Sequence, residues 1–228
     1  MSRPGLVGAT WVLLRKDLLL EWRSRARINA LVFFAFATLL LFSFALGPDT
    51  ALLRRNAGGY LWLALLLSSV LALGESFRVE QENASLEGMR LVPVDARAVF
   101  LSKAVANALL LFALAVLLIP VLIALLDVRV VLSWGMLVAL LALGCLAIAA
   151  PGTLYGAIAS QARARDVLLP LLLFPILVPA LVAAAKGTAL LFEGDPMSQF
   201  PSWLALLSGF DLLYWGLGVL LFPRVVEE

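Results

Sequence analysis

Histidine is absent from this 228-residue chain, and cysteine occurs once, as Cys145. Without histidine the chain supplies no His-ligated metal, no imidazole general base and no histidine axial ligand. A single cysteine allows no internal disulfide and no C-x-x-C pair. Set in an apolar run, Cys145 reads as a small packing residue. Charge is scarce as well: Asp, Glu, Lys and Arg make up 14% of residues, against about 25% in ordinary soluble domains. The net charge of +2 is too small for a nucleic-acid binder. No G-x-x-x-x-G-K-[ST] phosphate cradle and no G-x-S-x-G elbow occurs. Ser102 and Lys103 are adjacent, so on a helix they point to different faces and make no Ser-Lys pair. These absences lead us to expect a chain with no catalytic residue, no metal site and no cofactor of its own.

What the chain has in quantity is apolar surface: 63% of residues are hydrophobic and the mean hydropathy is +1.04. Lipid is the natural solvent for such a chain. A span needs about 20 mostly apolar residues at about 1.5 Å rise each. Six stretches qualify, at 28–46, 59–74, 102–126, 131–158, 167–186 and 203–222. The expected fold is all-α, a single polytopic membrane domain of six transmembrane helices over 1–228. The first apolar run is too long for a signal-peptide core and no A-x-A site follows it, so it reads as an uncleaved span.

Lys and Arg set the orientation. With the N-terminus in the cytoplasm, 13 of them fall inside and four (Arg54, Arg55, Arg129, Lys186) outside. The expectation is a multi-pass protein of the plasma membrane with both termini cytoplasmic. Residues 1–27 read as an interfacial helix: at 100° per residue Trp11, Leu14, Leu18 and Trp22 share a face, with Lys16 and Arg23 opposite and Leu13 and Leu20 falling elsewhere. The segment 187–202 reads as an outer loop that dips into the interface. The longest cytoplasmic loop is 75–101. Its core, Phe77–Leu91, reads as a short helix in which Phe77, Ala84, Gly88 and Leu91 form an apolar stripe, with Glu80 and Glu87 beside it and Pro93 as the stop. For an arbitrary membrane protein, a solvated loop would be the preferred reading of that segment.

Polar residues inside the spans are few. Asp211 stands about 12 Å into the last span if that span starts at Trp203. It reads either as part of a polar path or inter-helix lock, or as a neutral acid hydrogen-bonded to a neighbour such as Asn107. Ser68 and Ser69 suit close helix packing. Pro170, Pro175 and Pro179 kink the fifth span.

An interfacial helix, six spans and a Glu-bearing loop after the second span together resemble the permease half of ABC-type exporters, of the ABC-2 type. More closely the chain resembles the CcmB family, the haem exporter B proteins of cytochrome c maturation. The residues that carry the resemblance are Ala45-Leu46-Gly47-Pro48, Leu67-Ser68-Ser69-Val70-Leu71-Ala72-Leu73, Phe77-Arg78, Ser85-Leu86-Glu87, Pro93, Ala150-Pro151-Gly152 and Phe174-Pro175-Ile176-Leu177-Val178-Pro179. They spread over about residues 10–222, and their order and spacing are more specific than any one of them. The chain departs from the pattern at Ala84, where the family often has Gly, and Asp211 ties to no feature of that pattern.

The resemblance implies a bacterial inner-membrane subunit that pairs with a soluble CcmA-like ATPase, which would bind the ATP and Mg. It also implies a CcmC-like haem-handling membrane protein, a small CcmD-like subunit and, indirectly, the haem chaperone CcmE, with haem handled by those partners. Two copies would match two ATPase subunits. Phe77, Arg78, Glu80, Glu82, Ser85, Leu86, Glu87 and Leu91 become the expected ATPase contact, and closure of the ATPase on ATP would move this loop and, through the kinked spans, the outer side. A haem ligand from this chain would have to be Met, Tyr or Cys145, with Met197 the candidate in the outer loop. Two other readings stay open: a different ABC-type exporter of a drug, lipid or polysaccharide, and a membrane scaffold without an ATPase.

Overall fold

A computed structural model describes residues 5–45, 50–82, 95–160, 162 and 165–227. The described residues form seven helices and no strand. These are α1 (Leu6–Arg23), α2 (Arg25–Ala45), α3 (Thr50–Glu82), α4 (Ala96–Leu126), α5 (Trp134–Ser160), α6 (Arg165–Glu193) and α7 (Phe200–Glu227). All but α1 are long and apolar enough to cross a bilayer, which makes this a multi-pass membrane protein. Six helices therefore account for the six apolar stretches.

Each membrane-crossing helix overruns its apolar stretch at one end or at both. α3 begins at Thr50, so Arg54 and Arg55 lie on its first turns and not in a loop. α4 begins at Ala96, capped by the Asp95 carboxylate, which accepts from the Arg97 N–H at 2.9 Å. α6 continues through Gly187 to Glu193, so most of the expected 187–202 outer loop is helix, and only 194–199 remain as the connection to α7. There Asp195 accepts from the backbone N–H groups of Gln199 and Phe200, both at 2.8 Å, and closes the start of α7. Hydropathy marks where lipid is met. Backbone hydrogen bonding carries each helix on until a cap or turn satisfies its last groups.

Proline does not break these helices. Pro120, Pro151, Pro170, Pro175, Pro179 and Pro223 all lie inside continuous helix. In a bundle the freed carbonyls find neighbouring helices or local adjustment.

α5 is the hub. It packs against α3, α4, α6 and α7, and its membrane-crossing window is the most buried of the six. Small residues let the neighbours in: the Trp62 ring of α3 lies over Gly144, and the Phe100 ring of α4 lies over Gly218 of α7. α3 crosses α6 as closely, where a Cβ on Gly58 would stand 2.7 Å from the Ala185 carbonyl oxygen. α2 is peripheral, resting on α3, with Phe33, Leu41 and Phe44 facing outward.

Candidate functional site

The segment expected to meet an ATPase begins as a continuation of α3. The helix does not stop at Gly74; it runs on to Glu82 and carries Phe77, Arg78, Glu80 and Glu82 on an arm roughly 12 Å long beyond the apolar part. Phe77 therefore opens no separate short helix. Ser85, Leu86, Glu87 and Leu91 lie outside the described residues.

The base of this arm is tied to its neighbours by charge. Arg27, at the start of α2, donates from Nη2 to the Ala72 carbonyl of α3 at 2.6 Å, and its Nη1 stands 2.9 Å from Glu21 Oε2 of α1. Lys103 of α4 is buried and lies within electrostatic reach of the same glutamate. Burial raises the Glu21 carboxyl above its ordinary value; Arg27 and Lys103 pull it back down, while Asp17 adds to the rise. Four helices thus meet at one charged junction just below the arm.

α1 meets that junction with a face the hydropathy pattern did not indicate. Of Trp11, Leu14, Leu18 and Trp22, only Leu14 is buried; Trp11 and Trp22 are 67% and 78% exposed. The helix instead turns Leu13, Leu14, Asp17 and Glu21 toward the protein, lying along α4. Its apolar Trp stripe is left for lipid. A pattern of apolar residues cannot separate a lipid-facing stripe from a protein-facing one, because both are greasy. The inward Asp17 and Glu21, four residues apart, were the signal that could have found it.

Within the bundle, Ser68 and Ser69 are fully buried on α3. Ser69 Oγ donates to the Leu66 carbonyl at 2.6 Å, whereas Ser68 Oγ has no partner among the described residues. Two inter-helix hydrogen bonds were not foreseen. Trp62 Nε1 donates to Thr188 Oγ1 at 2.9 Å, joining α3 to α6, and Asn107 Nδ2 donates to Thr153 Oγ1 at 3.1 Å, joining α4 to α5. Asn107 is thereby engaged by Thr153 and does not serve Asp211. Asp211 is buried on α7 with both carboxyl oxygens unpartnered among the described residues.

At the opposite end of the bundle from α1, Arg54 pairs with Asp127 at the rim of an open cavity of about 340 Å³. Val128, Arg129, Val131, Phe192 and Glu193 complete its lining. The α4–α5 connection is pinned there by the Val131 N–H, which donates to the Leu191 carbonyl at 2.9 Å. Met197, on the 194–199 connection, is exposed and its thioether accepts from Gln199 Nε2 at 3.5 Å. Lys186 lies on an exposed face of α6, inside the helix.

The family model described as CcmB protein matches residues 8–227. Among curated proteins, the Heme exporter protein B of Haemophilus influenzae is 32% identical over 174 residues, covering 76% of this chain and 78% of that one. The protein of the same name from Pseudomonas aeruginosa is 31% identical over 202 residues, covering 88% of this chain and 90% of its own. That from Escherichia coli K12 is 38% identical over 97 residues, covering 42% and 44%.

Proposed function

The chain belongs to the CcmB family, and on that premise we propose that it is the membrane subunit of an ABC-type complex in cytochrome c maturation. In this reading it couples ATP hydrolysis by a soluble CcmA-like partner to haem delivery, or to release of haem-loaded chaperone, at the outer face. The observation that carries the reading is the family match over residues 8–227 together with the charged arm that α3 extends past its apolar part. A soluble ATPase cannot act on a membrane bundle without a rigid element reaching out of it, and the arm is such an element.

The rest of the assembly follows from the same premise. The arm and the segment after it, Phe77, Arg78, Glu80, Glu82, Ser85, Leu86, Glu87 and Leu91, form the ATPase contact, with apolar anchors set among acidic groups that meet basic ones. That end of the bundle is cytoplasmic, with both termini there, in the bacterial inner membrane. α1 lies at that interface, its exposed Trp11 and Trp22 in the headgroup layer. Two copies face two ATPase subunits, and CcmC-like and CcmD-like membrane partners hold the haem, which is cargo of the assembly. The chain's lack of histidine agrees with placing the haem ligands in those partners.

The deciding experiment is co-purification in detergent of this chain with its candidate ATPase, comparing native protein with Glu80→Lys plus Glu87→Lys. The ATPase is expected to accompany the native chain and to be lost from the double variant. No association with the native chain sinks the permease reading and favours a scaffold. Equal association of both keeps the partner and moves the contact elsewhere.

A further inference from the structure

Asp211 stands apart from the charged junction, the arm and the outer rim. It lies 11 residues after the first residue of α7, roughly 16 Å along a helix that crosses the bilayer. Its residue exposure is 8%, and neither carboxyl oxygen has a hydrogen-bond partner among the described residues. α7 packs against α4, α5 and α6. From α5 the titratable group within electrostatic reach of Asp211 is the Cys145 thiol. No ion pair joins Asp211 to a described Lys or Arg of α4 or α6. One turn further along α7, the Trp215 indole N–H is likewise buried without a partner among the described residues.

A lone carboxylate at this depth would bear the full cost of desolvation, with no ion pair among the described residues to offset it. Removing the charge by adding a proton avoids that cost. We propose that Asp211 is a proton-binding site inside the α5–α7 contact, occupied while α7 is seated and emptied when α7 parts from α5. Ionisation and separation are then one linked equilibrium: water reaching the carboxyl favours loss of the proton, and a charged carboxyl keeps α7 from reseating until it is neutralised. The Trp215 indole N–H, one turn along the same helix, is the donor from which the carboxylate accepts when the contact loosens.

The chain carries its own reporter, because Cys145 is its one cysteine, is buried, and lies within electrostatic reach of Asp211. Purified protein in detergent is treated with a small membrane-permeant maleimide between pH 6 and pH 9, native against Asp211→Asn. Asparagine holds the site neutral at every pH, so the ratio of the two rates removes the pH dependence common to both. An ionised Asp211 would repel the Cys145 thiolate and slow native labelling, so a rise in the native rate comes from opening and not from thiol chemistry. The expected ratio is close to one at pH 6 and rises several-fold in favour of the native protein at pH 9. A ratio that stays constant across the range overturns the proposal. Infrared spectra of the native protein decide independently should Asp211→Asn fail to fold. A protonated-carboxyl stretch is expected at pH 6 and is expected to fade by pH 9; its absence at pH 6 shows an ionised Asp211 and overturns the proposal equally.

Discussion

Replacing Gly144 by alanine tests whether the α3–α5 contact is set by one ring. A Cβ at Gly144 would meet Trp62 at Cη2, Cζ3 and Cζ2, the last two at 2.6 and 2.8 Å. Carbon atoms at rest stand about 3.5–4.0 Å apart, so the ring must retreat by about 1 Å or more. It has nowhere easy to go: Trp62 is 1% exposed, and its Nε1 is held by Thr188 Oγ1 at 2.9 Å. Forced overpacking costs about 1–3 kcal/mol, and an inter-helix hydrogen bond in a membrane protein is worth about 0.6 kcal/mol. Alanine also helps the helix by about 1 kcal/mol relative to glycine. Gly209→Ala on α7 is the matched control, since nothing lies within 4 Å of the added carbon and the helical gain is the same. The difference between the two variants isolates the clash, at about 2–3 kcal/mol. Unfolding in mixed micelles titrated with sodium dodecyl sulfate, followed by loss of helical circular dichroism, measures it. Trp62→Phe in the Gly144→Ala background removes the outer part of the ring and should recover at least ~1 kcal/mol by a double-mutant cycle. Variants at 144 and 209 that unfold within about 0.5 kcal/mol of each other would refute the reasoning.

Three further outcomes follow from the same geometry. Thr153→Val leaves the buried Asn107 amide without its acceptor and should cost about 1–3 kcal/mol, with part of the loss recovered when Asn107→Leu is added; the micelle titration reads both. Because burial raises the Glu21 carboxyl, its contribution to stability is full below the ordinary Glu value and is lost as pH rises through the raised folded value. Native protein should therefore lose stability relative to Glu21→Gln over that rise, and a difference that is flat with pH would count against the assignment. Asp127 ends α4 in the left-handed region at φ 49°. Asp127→Val should lower stability by about 1–2 kcal/mol, whereas Asp127→Gly should lose no more than the about 0–1 kcal/mol of an exposed ion pair, both by thermal unfolding in detergent.

The sequence made the six spans and the all-helical class legible because lipid imposes a length and a polarity on every crossing segment. It could not show where each helix ends. Arg54 and Arg55 read as loop residues, yet backbone hydrogen bonding outlasts apolarity by several turns, and the same excess turns Phe77–Glu82 into an extension of α3. Helix faces were hidden for a different reason. In water an apolar stripe marks the buried side, but around α1 the Trp stripe faces outward and Asp17 and Glu21 face in, because a charged side chain near a membrane seeks a partner more urgently than Trp seeks cover. Asp211 stands out in the sequence as an ionisable residue inside a span. Its assumed partner Asn107 belongs to Thr153, a pairing 46 positions away that no local pattern contains.

α3 is unbroken from Thr50 to Glu82 and is held along its length: at Gly58 against the Ala185 carbonyl, at Trp62 over Gly144, and at Ala72 by Arg27. A rod fixed at three heights does not pivot about any one of them. A push at the Glu82 end reaches Arg54, roughly 42 Å away along the axis, only when α3 moves as one body with the helices that grip it.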